Sequence, residues 1–300
     1  MKPAVSLVAV AGRRRPTLEL ARRIEQEGFT GIYCPSPGDG LALCEALALV
    51  TSEIPFGTSI AHIYTRHPFE YAQTAAVIHE LSGGRFRFGI GVSHGPAHER
   101  LGIHPGRPLE DVRQFVAEVK GYAAQVGAVP AITLATLRQK MVALAGEIAE
   151  GAVWANGARS HMAASLRSLP PAARDHPDFF IGDMVPTCIA DDRAAAASVM
   201  RKTLTSYVKL PNYQNYWIEA GYAEEMTAIR GAIARRDDAA VQAAMSDRWL
   251  SDVTLFGSAK AVREGVEAWQ ATGVRTVILV PSSTRGGQMV AFEELIAAYR

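Results

Sequence analysis

The sequence predicts a (β/α)8 barrel, an α/β TIM barrel with a helical insertion between strands seven and eight, and three observations support that fold. Short apolar runs alternate with stretches of helical periodicity through most of the chain. The runs are near-continuously apolar, as strands become when helices cover both faces of a parallel sheet. The chain has 300 residues, which suits one closed barrel of about 250 residues plus an insertion better than an open sheet.

The elements follow in order. "AVSLVAV" (4–10) is a buried strand, and "TLELARRIEQEG" (17–28) has helical spacing closed by a glycine. The unit recurs as "GIYC" (31–34) then "LALCEALALVTS" (41–52), as "FGTSIA" (56–61) then "FEYAQTAAVIHELSGG" (69–84), and as "FRFGIGV" (86–92) then "LEDVRQFVAEVKGYAA" (109–124). The second half adds "AITLA" (131–135) then "LRQKMVALAGEIAEG" (137–151), "AVWA" (152–155) then "SHMAASLRSL" (160–169), and "FFIGDMV" (179–185). From about 190 to 259 the pattern turns almost wholly helical and alanine-rich, with "KLPN" as a turn inside it. The strand "TVILV" (276–280) and the helix "MVAFEELIAAYR" (289–300) close the chain. No Ser/Gly linker sets the insertion apart, so residues 1–300 read as a single domain.

Composition bounds the function. A chain that is 48% hydrophobic and 20% charged is expected to be a soluble globular protein. A formal net charge of +1 offers no general attraction to nucleic acid or to an anionic membrane, which leaves a small molecule as the expected partner. The arginines of "MKPAVSLVAVAGRRRPT" follow its apolar run and no cleavage site comes after them, so the expected location is the cytoplasm. Cys34, Cys44 and Cys188 are odd in number, lack metal-ligand spacing and sit in apolar surroundings, as reduced buried thiols do.

On such a barrel, chemistry gathers at the C-terminal ends of the strands. The stretch "LSGGRFRFGIGVSHGPAHERLG" (81–102) therefore brings Gly91, Ser93, His94 and Gly95 to the catalytic face, where glycine lets backbone approach a ligand closely. His98 and Glu99 lie four and five residues beyond His94, where the loop turns toward helix, and Glu99 with Arg100 reads as a solvated face or a clasp within the loop. His67, in "RHP", marks the opening of a helix. The glycines of "GIGVSHG" do not have the dinucleotide-binding register, and no Walker-type loop is present.

Preceded by "FGTSIAHIYTRHPFEYAQTAAVIHELS" and followed by "LRQKMVALAGEIAEGAVWANG", the same stretch resembles the luciferase-like monooxygenase superfamily, and within it the branch that uses the deazaflavin coenzyme F420. The resemblance runs from about Gly28 to Arg159. It implies a barrel that holds a flavin or deazaflavin across its strand ends, often as a homodimer. By position it implies a cis peptide at Ser59–Ile60 beneath the cofactor ring, Val92 and Ser93 facing that ring, and a strand-five contact from Ala135 and Thr136. It also puts His94 where a proton-donating group is often found, a role that suits an imidazole near neutral pH. Ser36, His62 and His98 are expected to line the substrate cavity. A phosphate-bearing tail is expected at "WANGARS", where Asn156, Gly157, Arg159 and Ser160 combine helix N-terminal amides with one positive charge. On its own, Asn-Gly there signals a turn.

The chain departs from the family after strand two. Many deazaflavin members carry an acidic residue or a histidine there, whereas this chain has "YCPSPGDG" with Ser36 and Asp39. The expected activity is an F420-dependent oxidoreductase that moves a hydride between the deazaflavin and a small organic substrate, with no metal. An FMN-dependent monooxygenase and a non-catalytic flavin-binding barrel are the alternatives.

Overall fold

The barrel strands form where the apolar runs predict them, most of them shorter than the run that marks them. The structure is a computed structural model that describes residues 2–300 and is a TIM barrel. The strands are β1 (Ala4–Ser6), β2 (Ile32–Cys34), β3 (Phe56–Thr58), β4 (Ala61–His62), β5 (Phe86–Gly91), β6 (Ile132–Ala135), β7 (Gly151–Ala155), β8 (Phe180–Ile189), β9 (Leu255–Gly257) and β10 (Thr276–Ser282). They pair in the order β10–β1–β2–β3–β5–β6–β7–β8–β9, with β10 also paired to β8 and β4 attached to β5. The chain divides into two compact units, one made of residues up to Trp154 with Leu166–Gly182, the other of Ala155–Ser165 with Asp183–Arg300.

In the first unit parallel register runs rung by rung, with Ile32 against Phe56, Phe56 against Phe86, Phe88 against Ile132 and Leu134 against Ala152. The Ile, Leu and Phe side chains of these rungs are fully or almost fully buried. Glycines on β3 and β5 let the two backbones approach closely. A β-carbon on Gly57 would overlap the Arg87 carbonyl, and one on Gly89 would overlap the Thr58 carbonyl. The Thr58 hydroxyl uses this proximity to donate to the Gly89 carbonyl at 2.6 Å. A second clamp joins the connections that lead into β3 and β5. The Glu25 carboxylate accepts the amides of Ser52, Glu53 and Ile54 at 2.8–2.9 Å, and the Arg85 guanidinium donates to the carbonyls of Ala48, Thr51, Ile54 and Ser82. Burial opposes the charge on Glu25, but the three amides and Arg85 outweigh it and hold the carboxyl below its usual range.

The second unit holds the insertion. Its helices are Arg193–Leu204, Pro211–Glu219, Ala223–Ala234, Asp238–Ala243 and Asp247–Val253. Asp192, Asp237 and Ser246 cap three of them by accepting amides at the first turn. Their apolar sides close on Trp217 and Trp249, whose rings meet edge to face at 4.9 Å, with Tyr213 beside Trp217 at 5.3 Å.

The structure corrects four boundaries. The first strand ends at Ser6 instead of Val10, because Val10 turns back to donate to the Val8 carbonyl at 3.0 Å. The run "FGTSIA" is two strands, β3 and β4, separated at Ser59–Ile60. The seventh strand continues past Val185 through Pro186 to Ile189. The segment expected to be helical to 259 contains strand β9, which pairs in parallel with Thr187, Cys188 and Ile189 of β8. Three residues, "LFG", are too few to show a period against alanine-rich surroundings. Cys34, Cys44 and Cys188 are free and buried, as expected. Among the described residues no helix is long and apolar enough to cross a membrane.

Gly89→Ala tests the β3–β5 approach. The added methyl has to displace backbone, so a loss of about 1–3 kcal/mol or more is expected by denaturant titration. An unchanged midpoint would show that the two strands yield without cost.

Candidate active site

Strand β5 ends in the first group of expected residues. Gly91, its last residue, is buried, and a β-carbon there would lie 2.8 Å from the Ala135 methyl and 3.0 Å from Cδ1 of Ile60. Glycine is thus the residue that fits between Ile60 and Ala135. The Ser59–Ile60 peptide is cis. Around it the Ser59 amide donates to the Cys34 carbonyl at 2.8 Å, and the Ser36 hydroxyl donates to the Ile60 carbonyl at 2.6 Å. The strand-two loop and the strand-three bulge are therefore tied to each other, with Ser36 as the tie. Thr136 is buried, and its amide donates to the Val153 carbonyl at 2.8 Å.

Beyond Gly91 the chain makes a sharp turn. Ser93 adopts a left-handed backbone with φ of 63°, a conformation that non-glycine residues seldom take. His94 then stands at the N-cap of the helix Gly95–Leu101, where its carbonyl accepts the amides of Ala97 and His98 at 2.9 and 3.1 Å. His98 folds back along that helix, and its Nε2 donates to the Val92 carbonyl at 2.6 Å. Its ring meets Tyr64 edge to face at 5.5 Å, and the Tyr64 hydroxyl donates to Asp111 at 2.7 Å. The expected loop helix begins at Gly95, earlier than its sequence suggests.

His62 completes the group. Strand β4 pairs in parallel with β5 so that His62 lies opposite Gly91, and the Ile63 amide donates to the Gly91 carbonyl at 3.1 Å. The His62 carbonyl accepts from the Tyr71 hydroxyl at 2.7 Å, which fixes the backbone that carries the ring. Both His62 and His94 are half-buried. Burial lowers the His62 pKa first, and His98 and Arg100 lower it further. Burial also lowers His94, with His62 and His98 adding to the effect. Each ring is therefore neutral near pH 7, with one nitrogen free of a proton. A neutral imidazole at a strand end has a nitrogen lone pair available to accept a proton.

The second group lies in the other unit, at the end of β7. Asn156 is buried in a left-handed turn with φ of 56°; its amide donates to the Met184 carbonyl and its carbonyl accepts from the Trp217 indole. The next amides are occupied. Gly157 donates to Asp183 at 3.4 Å, Ala158 to the Tyr216 hydroxyl at 3.0 Å, and Ser160 to Asp252 at 3.0 Å. The Ser160 and Tyr222 hydroxyls also donate to Asp252, at 2.7 and 2.8 Å. The Gly157 and Ser160 amides, expected at a phosphate, are thus engaged by the Asp183 and Asp252 carboxyls, and the Ala158 amide between them by the Tyr216 phenol. Arg159 remains as the cation of the group, half-buried at the first position of the helix Arg159–Leu166.

Asp183, Tyr216 and Asp252 were not visible as site residues in the sequence. Asp183 alone left a trace, as a charge interrupting the apolar run "FFIGDMV". It is fully buried, and its Oδ2 has no hydrogen-bond partner. Burial raises its pKa well above the ordinary 3.8, against smaller opposing contributions from the Gly157 and Met184 amides. Burial thus disfavours the ionised form of this carboxyl, because an unpaired buried charge is costly.

Comparison with known proteins places this geometry. The model of the luciferase-like monooxygenase family matches residues 3–125 and 118–276. The chain belongs to the luciferase-like monooxygenase family. A Mycobacterium tuberculosis relative, named provisionally as a coenzyme F420-dependent oxidoreductase, is 24% identical over 88% of this chain and 90% of its own. A 5,10-methylenetetrahydromethanopterin reductase of Methanolobus tindarius is 26% identical over 45% of this chain and 49% of its own. Among solved structures, the coenzyme F420-dependent tetrahydromethanopterin reductase of Methanopyrus kandleri superposes with a TM-score of 0.77 at 16% identity, covering 100% of both chains. The oxygenating constituent of 3,6-diketocamphane monooxygenase from Pseudomonas putida, a Baeyer-Villiger enzyme in complex with FMN, gives 0.69 at 16% identity, covering 100% of this chain and 97% of its own. Proteins similar to this chain in sequence or in fold thus include one named as F420-dependent and one bound to FMN.

Asp183→Asn tests the upward shift of this carboxyl. A group whose folded pKa is raised carries a proton that the unfolded chain lacks, so its contribution to stability falls as pH rises above the ordinary value. The asparagine variant is expected to lose less stability than the parent between about pH 4 and 7, and melting curves at several pH values read the difference. Parallel curves would mean that Asp183 does not titrate in this way.

Proposed function

We propose that this luciferase-like protein is a cytoplasmic F420-dependent oxidoreductase that transfers a hydride between the deazaflavin and a small organic substrate. The observation that carries the reading is His94, half-buried beyond the end of β5 on the left-handed Ser93 turn, with its basicity depressed. The surface beside it suits a flat ring. Gly91 presents no side chain, and Ile60 and Ala135 flank it. Ser59, Ile60, Gly91, Val92, Ser93, Ala135 and Thr136 would hold the ring, which supplies the hydride chemistry when bound.

The protein's own part is to orient the substrate and exchange the proton. When the substrate is oxidised, the hydride leaves its C–H bond and His94 takes the accompanying proton; in the reverse direction His94 returns it. A neutral resting imidazole fits the accepting role. Ser36, held on the Ile60 carbonyl, together with His62 and His98 lines the substrate side. The free, buried cysteines accord with a reducing compartment. FMN is the second reading for the cofactor, and the FMN-bound monooxygenase of the same fold supports it.

Exposed Leu49, Val77 and Leu81 lie on the adjacent helices Gly40–Val50 and Pro68–Leu81, a face suited to a second copy of the chain. Leu49→Glu with Leu81→Glu is expected to give a monomer in sedimentation where the parent gives a dimer. A parent that sediments as a monomer would remove the homodimer.

Anaerobic titration with F420 and with FMN identifies the cofactor. Binding of FMN alone, with oxygen-dependent turnover, would replace the F420 reading, and binding without turnover would leave a non-catalytic flavin-binding barrel. Arg159→Ala is expected to weaken binding about 10- to 100-fold if its guanidinium meets the phosphate. In the active protein His94→Ala should lower turnover roughly 10²–10⁴-fold with little change in cofactor affinity. For oxidation the parent rate should rise with pH through a midpoint below the ordinary histidine value of 6.5, because only the neutral ring accepts the proton. A His94→Ala variant of parental activity would sink the assignment.

A further inference from the structure

We propose that Asp252 selects the cofactor by the charge on its phosphate, so that the singly charged diester of F420 is favoured over the doubly charged monoester of FMN. This rests on the reading of Arg159 as the cation that meets the phosphate. Three features support it. The Asp252 carboxylate sits at the opening of the helix Arg159–Leu166, where it accepts the Ser160 amide at 3.0 Å on one oxygen and the Ser160 and Tyr222 hydroxyls at 2.7 and 2.8 Å on the other. Among the described residues no salt bridge neutralises it, since Arg248, which covers the Tyr222 ring at 4.5 Å, pairs with Glu225 at 3.1 Å instead. The helix that carries it, Asp247–Val253, is anchored by the fully buried Trp249, Leu250 and Val253, which keeps the carboxylate in place.

A second acceptor faces the same turn. The fully buried Asp183 directs its Oδ2, which has no hydrogen-bond partner, to within 2.7 Å of where a β-carbon on Gly157 would stand. An incoming phosphate therefore meets acceptor oxygens at positions where a helix opening ordinarily offers free amides. The energy between two charges scales with their product, so Asp252 opposes a dianion twice as strongly as a monoanion in the same place. Arg159 alone would prefer the dianion by the same rule, and Asp252 offsets that preference. The greater cost of desolvating a double charge then decides for the diester. A phosphate monoester takes its second charge at a pKa of about 6, whereas a diester has no second proton to lose.

The test is equilibrium binding of FMN, F420 and riboflavin, which carries no phosphate, to the full chain at about pH 8, where the monoester is a dianion. Asp252→Asn keeps an oxygen to accept the Ser160 amide and removes the charge. Doubling the charge squares the factor, so a gain of about 3-fold for F420 goes with a gain of about 10-fold for FMN, and riboflavin binding stays as in the parent. A merely structural role for Asp252 would move all three ligands alike, and an unchanged ratio of FMN to F420 affinity overturns the proposal. Should Asp252→Asn fail to fold, the parent alone answers through FMN and its singly charged monomethyl ester. The ester should bind at least as tightly as FMN, and tighter binding of FMN overturns the proposal. Arg159→Ala tells this apart from the reading beneath it. If that variant weakens FMN and F420 while Asp252→Asn leaves their ratio unchanged, the phosphate site stands and the selection by Asp252 falls. If Arg159→Ala changes neither, or the parent binds neither, the site and the selection fall together.

Discussion

The close backbone approach of β3 and β5 sets the rest of the site. Without side chains at Gly57 and Gly89 the two strands come near enough for the Thr58 hydroxyl to reach the Gly89 carbonyl. That contact fixes where β3 stops, and the next residues, Ser59 and Ile60, leave the strand held by the Cys34 carbonyl and the Ser36 hydroxyl. Ile60 then packs toward Gly91, and β4 resumes alongside the end of β5. The placement of His62, Gly91 and the turn to His94 follows from two missing methyl groups. A scaffold with that dependence keeps its reactive rim on rigid strands, which favours catalytic precision.

The rim is also unusual in its charge. Three imidazoles and an arginine gather there, and Tyr64, whose ring packs against His98, donates its hydroxyl to Asp111. At the end of β7 the balance is reversed, with the Asp183 and Asp252 carboxyls and the Tyr216 hydroxyl accepting the amides that open a helix. A helix N-terminus attracts an anion from any source, and here the protein's own side chains reach it first. Arg159 opens that helix as its first residue and brings the positive charge of the group.

Much of the barrel could be read from the sequence because parallel strands covered on both faces leave unbroken apolar runs, as in "FRFGIG". The rim at the end of β5 was legible for the same reason, since a glycine-rich turn after a strand marks a strand's end on this scaffold. The cis bond at Ser59–Ile60 came from the family resemblance, and no feature of composition would have suggested it. What the sequence concealed depends on long separations. Asp252 reaches Ser160 across 92 positions, and Tyr216 reaches Ala158 across 58, distances over which spacing holds no signal. Strand β9 escaped because three residues show no period, and the helical turn at Gly95 escaped because "GPAHERL" carries proline and glycine, which read as loop.

Ser93 has a further consequence, for the way this protein tolerates mutation. Its positive φ admits glycine, asparagine and aspartate with little strain and resists β-branched or bulky side chains. The constraint lies in the backbone, so it does not depend on which ligand the protein takes. Homologous barrels with quite different substrates would share a narrow alphabet at this one position while the residues on either side diverge. Laboratory evolution aimed at new substrates would do best to leave position 93 alone and to vary the side chains that Ser93 merely aims.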